Sequence, residues 1–306
     1  MKTLIFIVGA GHSGSTLLSK ALNAHSDMFS VSEIANFHED INNDNALCGC
    51  GKPLNQCEFW EDVNRRLIRK LGFGIKDEPN LFRISRHSKK NHVTDKIAFK
   101  LSRSLATNFN IVSPHIQKRI HYISVLFNTL FEKTEVQTIV DSSKSPKRAF
   151  ILGKNLNQFN IKIIHLVRDG RAVLHSYQKG FYKVKMKNPP AGNTEMKTIY
   201  ANKIRSAKNS VDRWKGDNKQ ALRYQKKYNK TSYYFLKYED FAHNPKKELN
   251  NLLNFIGLSY EPEMLDLNRF QNHMVSGNAS RINAKHIDPP YNSWKEKLDQ
   301  TKIDYF

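Results

Sequence analysis

Residues 4–18 join an apolar strand to a turn rich in glycine and serine, and this turn opens an amphipathic helix. Gly9 and Gly14 allow the backbone to turn tightly with its N–H groups directed inward. The N-terminus of the following helix adds unpaired N–H donors and the positive end of the helix dipole. These groups together favour a bound phosphate or sulfate, so the segment predicts an anion-binding loop.

The spacing of this loop is that of a nucleotide-binding P-loop with one difference. Gly9 and Gly14 are followed by Ser15 and Thr16, whereas a nucleoside triphosphatase carries a phosphate-binding lysine at the position of Ser15. Without that lysine the loop lacks the cation that contacts a γ-phosphate, but its backbone can still hold a 5′-phosphate that carries another group. The missing lysine therefore favours a ligand with a substituted 5′-phosphate over a nucleoside triphosphate.

Two segments resemble the nucleotide-binding motifs of sulfotransferases that use 3′-phosphoadenosine 5′-phosphosulfate (PAPS). Residues 11–17 are similar to the family's 5′-phosphosulfate loop, and residues 163–177 are similar to its 3′-phosphate site. In the second segment the resemblance assigns the 3′-phosphate to Arg168 and Ser176, and an arginine fork suits a phosphate because it donates two hydrogen bonds. In the first segment the implied PAPS-binding residues are Gly11, His12, Ser13, Gly14, Ser15, Thr16 and Leu17.

The same resemblance implies three catalytic residues. Glu33 ends the second predicted strand at the position where related enzymes carry the general base, and His38 is the alternative base. Lys144 follows a later strand, where similar enzymes place a lysine that stabilises the leaving phosphate. His12 stands where relatives carry lysine or arginine, so its imidazole either acts on the bridging oxygen or alters the chemistry.

Residues 275–281 look like the glycine-containing loop that bacterial relatives close over the nucleotide, which makes Arg281 a predicted nucleotide-binding residue. Trp294 resembles the tryptophan of the family's terminal helix, and we expect it to pack in the core rather than to stack on adenine. We expect Arg171 to pair with Asp169 or to face solvent.

The implied reaction transfers a sulfuryl group from PAPS to an acceptor hydroxyl or amine and releases PAP, the desulfated bisphosphate, without a catalytic metal. The acceptor could be a carbohydrate, a lipid, a peptide or a small molecule, and the sequence does not distinguish among them.

The chain has 49 Lys and Arg against 28 Asp and Glu, a formal net charge of +21. This charge suits anionic ligands, and it is the support for an alternative, a non-catalytic basic module that binds polyanions. A second alternative is a P-loop kinase for nucleosides or small molecules, which would need the missing lysine and a magnesium-binding acid.

The three cysteines are clustered at Cys48, Cys50 and Cys57. Their spacing allows three thiolate ligands to a zinc ion, with His38 or a distant residue as the fourth. The alternatives are a local disulfide and three unlinked thiols that order a turn. Similar cysteine-rich segments occur in bacterial sulfotransferase-like sequences, which implies a structural role for this one.

Strands that alternate with helices must position these residues. The pattern predicts one α/β domain over residues 1–306 with a parallel sheet flanked by helices. The resemblance implies that this sheet is P-loop NTPase-like, of the sulfotransferase type. Residues 72–112 are expected to hold short helices and loops specific to the acceptor. The predicted strands cover residues 4–8, 28–33, 137–141, 161–167 and 233–240, and the predicted helices cover residues 59–71, 115–131 and 246–256.

The apolar run at residues 4–8 is too short for a signal peptide and passes directly into the predicted anion-binding loop. No run approaches the roughly 18 apolar residues of a membrane span. We therefore expect a soluble intracellular protein without a membrane span. The resemblance to the sulfotransferase family implies a cytoplasmic setting, with PAPS as co-substrate and no nucleic-acid partner.

Overall fold

The computed structural model describes residues 1–84, 113–178, 206–227, 232–289 and 293–306, and the backbone of residues 181–185 and 196–200. The strands are β1 (Thr3–Val8), β2 (Met28–Ser32), β3 (Thr138–Lys144), β4 (Asn160–Val167), β5 (Phe181–Lys185), β6 (Met196–Tyr200) and β7 (Tyr233–Lys237). The helices are α1 (Ser15–Asn23), α2 (Phe37–Asp40), α3 (Glu58–Leu71), α4 (Pro114–Thr134), α5 (Pro146–Asn155), α6 (Gly170–Gln178), α7 (Ala207–Gln225), α8 (Tyr238–His243), α9 (Pro245–Ile256), α10 (Ser280–Asn283), α11 (Trp294–Lys297) and α12 (Gln300–Ile303).

Five strands form a parallel sheet in the order β2-β3-β1-β4-β7, while β5 and β6 pair separately as an antiparallel ribbon. Strand β1 lies at the centre, where Thr3 is opposite both Thr138 of β3 and Asn160 of β4. All six residues of β1 are buried. This burial explains its continuous apolar sequence, since a central strand of a parallel sheet is covered on both faces.

Alternate residues of β1 enter two separate cores. Leu4 and Phe6 pack in one cluster with apolar residues of α3 and α4, whereas Ile5 and Ile7 pack in another with residues of α1 and α9. Side chains of a strand alternate between the two faces of its sheet, so this division follows from the strand geometry. Helices on both faces confirm the predicted fold class.

Every predicted strand and helix is present, with differences at their ends. The predicted strand 233–240 is too long, because β7 ends at Lys237 and Tyr238 begins α8. Strand β3 instead continues beyond its predicted end, to Lys144. The predicted acceptor-specific segment is described only through residue 84, where Pro79–Phe82 forms a 3₁₀ turn, and residues 85–112 lie outside the described residues. Among the residues that are described, no helix combines the length and the apolar character that crossing a bilayer requires.

Candidate active site

A cleft of about 880 Å³ opens at the C-terminal ends of the sheet strands. This volume lies in the range of ligand sites, roughly 300–1,000 Å³. The structure brings eleven residues of the predicted site together as lining residues of this cleft: Gly11, His12, Gly14, Ser15, Thr16, Leu17, Glu33, Lys144, Arg168, Ser176 and Arg281.

The turn between β1 and α1 is shaped by Gly14. Its φ of 87° lies in the left-handed region, and a Cβ at this position would lie 2.2 Å from Cδ2 of Tyr238. The Gly14 carbonyl accepts the N–H groups of Leu17 and Leu18 at 3.0 and 3.1 Å, which fixes the first turn of α1. The earliest N–H groups of a helix have no acceptor within it, and Ser15 at this end lines the cleft. This end of the cleft is therefore suited to an anion.

Arg168 and Ser176 lie beside the same turn. Nη1 of Arg168 donates to the carbonyl of His12 at 3.1 Å, and the Ser176 hydroxyl is 3.2 Å from Nδ1 of His12. The Arg168 guanidinium lies 4.6 Å from the centroid of the Tyr238 ring, and the Arg168 carbonyl accepts a hydrogen bond from Trp214 Nε1 at 3.0 Å. These contacts hold a cationic fork at the edge of the cleft.

The His12 ring is also held on a second side. It contacts Tyr177 edge to face, with ring centroids 4.3 Å apart. Gly11 leaves the space for this tyrosine, because a Cβ there would lie 2.5 Å from the tyrosine hydroxyl oxygen. The imidazole is therefore fixed between Ser176 and Tyr177 at the wall of the cleft.

Glu33 and Lys144 form an ion pair through Glu33 Oε1 and Lys144 Nζ. Their side chains are only 8% and 16% exposed, so water screens the pair poorly. The second carboxylate oxygen, Oε2, accepts a hydrogen bond from Asn36 Nδ2 at 2.9 Å. A carboxylate and an ammonium are thus held in contact at the ends of two neighbouring strands, β2 and β3.

A second buried ion pair lies behind Lys144. Arg148 Nε donates to Asp141 Oδ2 at 3.0 Å, and the two side chains are 1% and 2% exposed. The other oxygen of Asp141 accepts the backbone N–H of Ser143 at 2.9 Å. These contacts join the end of β3, which leads to Lys144, to Arg148 in α5. Removing one partner would leave an uncompensated buried charge.

Four non-glycine residues at the cleft have left-handed backbone conformations. The φ angles are 61° at His12, 57° at Ser32, 58° at Lys144 and 57° at Ser276. Such conformations cost of order 1–3 kcal/mol each for a residue with a Cβ, and they cluster at functional sites. Ser32 precedes Glu33, so all four positions shape the backbone around groups that line the cleft.

The segment after Met274 closes one side of the cleft. Val275 forms a parallel bridge to Ser32, and its carbonyl accepts the N–H of Glu33 at 3.1 Å. The N–H of Asn278 donates to Thr16 Oγ1 at 3.3 Å. The segment therefore connects the end of β2 with the first turn of α1.

Arg281 is 3% exposed, and its guanidinium is occupied by backbone carbonyl groups. It donates to Gly277 and Asn278 at 3.1 and 3.2 Å and to Leu47 at 2.8 Å. The contacts point to a residue that holds the 277–281 loop in shape. Its predicted role in nucleotide binding stays a prediction.

Asp40, at the end of α2, also lines the cleft. Burial raises the pKa of this carboxyl to about 6, against the opposing effects of the nearby Arg281 guanidinium and a hydrogen bond with Ser276. A carboxyl with a higher pKa in the folded chain holds its proton longer there than in the unfolded chain. Its ionisation therefore reduces stability as the pH rises from about 4 to about 6, and the loss is complete above that range.

The remaining predicted residues have different surroundings. Ser13 is 1% exposed and lies outside the cleft lining, and its hydroxyl has no hydrogen-bond partner among the described residues. His38 contacts Arg83 and the Ala35 carbonyl and does not line the cleft. Burial, with the positive charge of Arg83, lowers the pKa of His38. These contacts favour Glu33 over His38 as the base.

Two expectations about the C-terminal half are confirmed. Arg171 pairs with Asp169 through contacts of 3.0 and 2.7 Å. Trp294 is 6% exposed and packs with Ala172, Leu174 and other apolar residues.

Sequence reasoning missed Tyr238, Asn36 and Arg213, all of which line the cleft. Tyr238 carried a usable signal, because it stands near the C-terminal end of the predicted strand 233–240, the end at which ligands of a parallel sheet gather. Asn36 stands three residues after Glu33, and this closeness in sequence to a predicted catalytic residue was its only signal. Arg213 lies in α7 and had no comparable signal.

Comparison with known proteins places the chain among sulfotransferases. A model described as the sulfotransferase family matches residues 5–262. Sulfotransferase 1A1 of Mus musculus is 29% identical over 117 residues, a match that spans 38% of this chain and 38% of the mouse protein. The sulfotransferase domain of the Synechococcus PCC 7002 olefin synthase superposes with a TM-score of 0.54 at 18% identity, covering 100% of this chain and 94% of that one. The sulfotransferase domain from the curacin biosynthetic pathway gives 0.51 at 17% identity, with 100% and 96% coverage. At these identities the two structures show the shared fold.

Proposed function

Because the chain belongs to the sulfotransferase family, we propose that it transfers a sulfuryl group from PAPS to an acceptor hydroxyl or amine and releases PAP. One observation carries the proposal. Arg168, 156 residues further along the chain, contacts His12 of the glycine turn, and Ser176 contacts the same residue. A helix N-terminus for a 5′-phosphosulfate and an arginine fork for a 3′-phosphate therefore share one cleft.

In the proposed reaction a lone pair of the acceptor forms a bond to sulfur while the bond from sulfur to the bridging 5′-phosphate oxygen breaks. Glu33 takes the acceptor proton. PAP leaves with the electron pair of the broken bond, and its added negative charge is stabilised by the N-terminus of α1, Lys144 and His12. The protein thus contributes positioning and electrostatic stabilisation, as in phosphoryl transfer.

The Glu33–Lys144 ion pair makes the two catalytic roles dependent on each other. While Lys144 Nζ contacts Glu33, one carboxylate oxygen is occupied and the ammonium charge is neutralised. An anion bound at the N-terminus of α1 would compete for the ammonium. We expect nucleotide binding to weaken the ion pair and so to release the carboxylate toward the acceptor.

The acceptor in this proposal is a carbohydrate, a lipid, a peptide or a small molecule that carries the hydroxyl or amine. The proposed location is cytoplasmic. We also propose that residues 1–306 act as one catalytic domain, because the cleft is lined by residues from Gly11 to Pro289.

Calorimetric titration with PAP tests the proposal. We expect binding of PAP to be at least tenfold tighter than binding of adenosine 5′-phosphate. The second nucleotide lacks the 3′-phosphate, so the Arg168 guanidinium has no phosphate to bind. Consumption of PAPS with a panel of hydroxyl and amine acceptors then identifies the substrate. Magnesium-dependent ATP turnover without affinity for PAP would instead establish a kinase. Salt-sensitive heparin or nucleic-acid binding without affinity for PAP would establish a polyanion-binding module.

A further inference from the structure

Three cysteines and one histidine meet outside the cleft. The potential ligand atoms of Cys48, Cys50, Cys57 and His273 all lie within 4.8 Å of one another. The three cysteines are 0%, 6% and 1% exposed. All three are free thiols, so the predicted alternative of a local disulfide is wrong. His38, the histidine named as a possible fourth ligand, does not belong to this group.

Three of the separations within this group match the edges of a tetrahedral zinc site. The Sγ atoms of Cys50 and Cys57 are 3.8 Å apart, and His273 Nδ1 is 3.4 Å from Cys57 Sγ and 3.8 Å from Cys48 Sγ. Zinc bonds of about 2.3 Å to sulfur and about 2.0–2.1 Å to nitrogen give tetrahedral edges of about 3.8 Å between sulfurs and about 3.5 Å between sulfur and nitrogen. A disulfide would require about 2.05 Å between sulfurs.

Contacts outside the four side chains hold the ligands in place. The ring of His273 stacks on the ring of Phe59 with centroids 4.5 Å apart. The backbone carbonyl of His273 accepts a hydrogen bond from Trp60 Nε1 at 2.9 Å. The N–H of Cys48 donates to the carbonyl of Lys52 at 2.9 Å, which closes a tight turn. Such supporting contacts set the orientation of metal ligands before the ion binds.

We propose that Cys48, Cys50, Cys57 and His273 bind one zinc ion as a structural site. A set of three sulfurs and one nitrogen favours zinc among the common divalent cations. Four protein ligands complete the coordination, so no open position remains for a substrate or a reactive water. The ion is therefore structural, and none of its four ligands lines the cleft.

The ion connects two distant parts of the chain. Three ligands belong to the loop between α2 and α3, whereas His273 lies 216 residues beyond Cys57. Next to His273, the carbonyl of Met274 accepts the N–H of Gly49 at 2.9 Å, and Val275 then bridges to Ser32. The metal thus fixes the start of the segment that closes the cleft. This last consequence rests on the proposed function, whereas metal binding itself does not.

Elemental analysis of the purified full-length protein tests the site. We expect about one zinc per chain, and we expect cobalt(II) in its place to give the strong visible absorption of a tetrahedral thiolate complex. Metal-free protein that takes up no zinc in competition with a chromophoric chelator would overturn the proposal. Detection by mass spectrometry of a disulfide between two of the three cysteines in the native protein would also overturn it.

Variants at the distant ligand separate metal binding from general loss of structure. We expect His273→Ala to weaken zinc binding at least 100-fold, His273→Cys to retain about one zinc per chain, and the exposed His115→Asn to behave as wild type. If the alanine variant fails to fold, retention of zinc by the cysteine variant still tests the assignment. Equal zinc affinity of His273→Ala and wild type in competition with the chromophoric chelator would exclude His273 as a ligand.

A chelation experiment tests the link to the cleft. Removing the metal is expected to lower both the midpoint of thermal unfolding and the affinity for PAP in the wild-type protein. A protein that binds zinc but never binds PAP would refute the proposed function and leave the metal site intact. A protein that binds PAP and contains no zinc would refute the metal site alone.

Discussion

Replacing Arg168 with alanine tests the proposed 3′-phosphate site directly. In the structure the guanidinium is already held by the His12 carbonyl at 3.1 Å and by the Tyr238 ring at 4.6 Å. The backbone of Arg168 is also anchored, because its carbonyl accepts from Trp214 Nε1 at 3.0 Å. The side chain therefore has little rotational freedom to lose when a phosphate binds, and most of the interaction energy is available for affinity.

The size of the effect follows from the chemistry of the fork. A hydrogen bond to a charged group contributes about 1.5–3 kcal/mol, and a bidentate arginine–phosphate contact lies at the upper end of that range. A loss of about 3 kcal/mol weakens PAP binding roughly 100-fold, since 1.4 kcal/mol corresponds to a factor of ten. Adenosine 5′-phosphate has no group at this position, so we expect its affinity for Arg168→Ala to change less than about threefold.

The assay is calorimetric titration of wild type and variant with both nucleotides. Arg168→Lys keeps the charge without the fork and should show an intermediate loss. Arg171→Ala is the matched control, because Arg171 pairs with Asp169 and does not line the cleft. An equal loss of affinity for both nucleotides would refute the reasoning and would mean that Arg168 supports the glycine turn through the His12 carbonyl.

Three further substitutions probe the cleft. Glu33→Gln should lower turnover at least about 100-fold through loss of the general base while PAP binding is retained, and full activity would exclude Glu33 as the base. His12→Arg should lower turnover because a longer side chain cannot take the place of a ring held between Ser176 and Tyr177, and a faster enzyme would show that the imidazole only substitutes for a cation. Asp40→Asn should raise the free energy of unfolding of the ligand-free protein by about 3 kcal/mol at pH 8 and leave it nearly unchanged at pH 4, because it removes a carboxyl whose ionisation opposes folding. Chemical denaturation at the two pH values measures the last effect, and an equal gain at both would contradict it.

The parts of this fold that depend on local sequence could be predicted. The apolar run of β1 and the spacing of Gly9 and Gly14 define a strand, a turn and a helix over about fifteen residues, and the structure contains all three. Glu33, Lys144 and Arg168 could be assigned to one site because each stands at or just after the C-terminal end of a strand in a parallel sheet.

The end of β7 shows where local rules fail. Tyr238 has a high strand propensity, and the sequence pattern therefore extends the strand past Lys237. In the structure the chain turns into α8 at this residue, and the carboxylate of Glu239 accepts the N–H of Asp169 at 2.9 Å. This contact joins residues 70 positions apart, so no local pattern contains it.

Contacts between distant residues also explain what the sequence left open at the site and at the cysteines. The pairing of Glu33 with Lys144 joins positions 111 residues apart. The spacing of the cysteines left the fourth ligand open between His38 and a distant residue, and only the folded chain brings His273 beside them. Arg281 has the residue type of an anion ligand, but its guanidinium is occupied by carbonyl groups that only the folded chain presents.

The central place of β1 has a consequence for synthesis on the ribosome. Its two neighbours in the sheet, β3 and β4, begin at residues 138 and 160. At roughly 5–20 residues per second, the ribosome needs about ten to thirty seconds after making β1 before both partners have been translated. Throughout that interval the apolar segment of β1 lacks its sheet partners, so chaperones that shield short apolar segments should raise the yield of native protein.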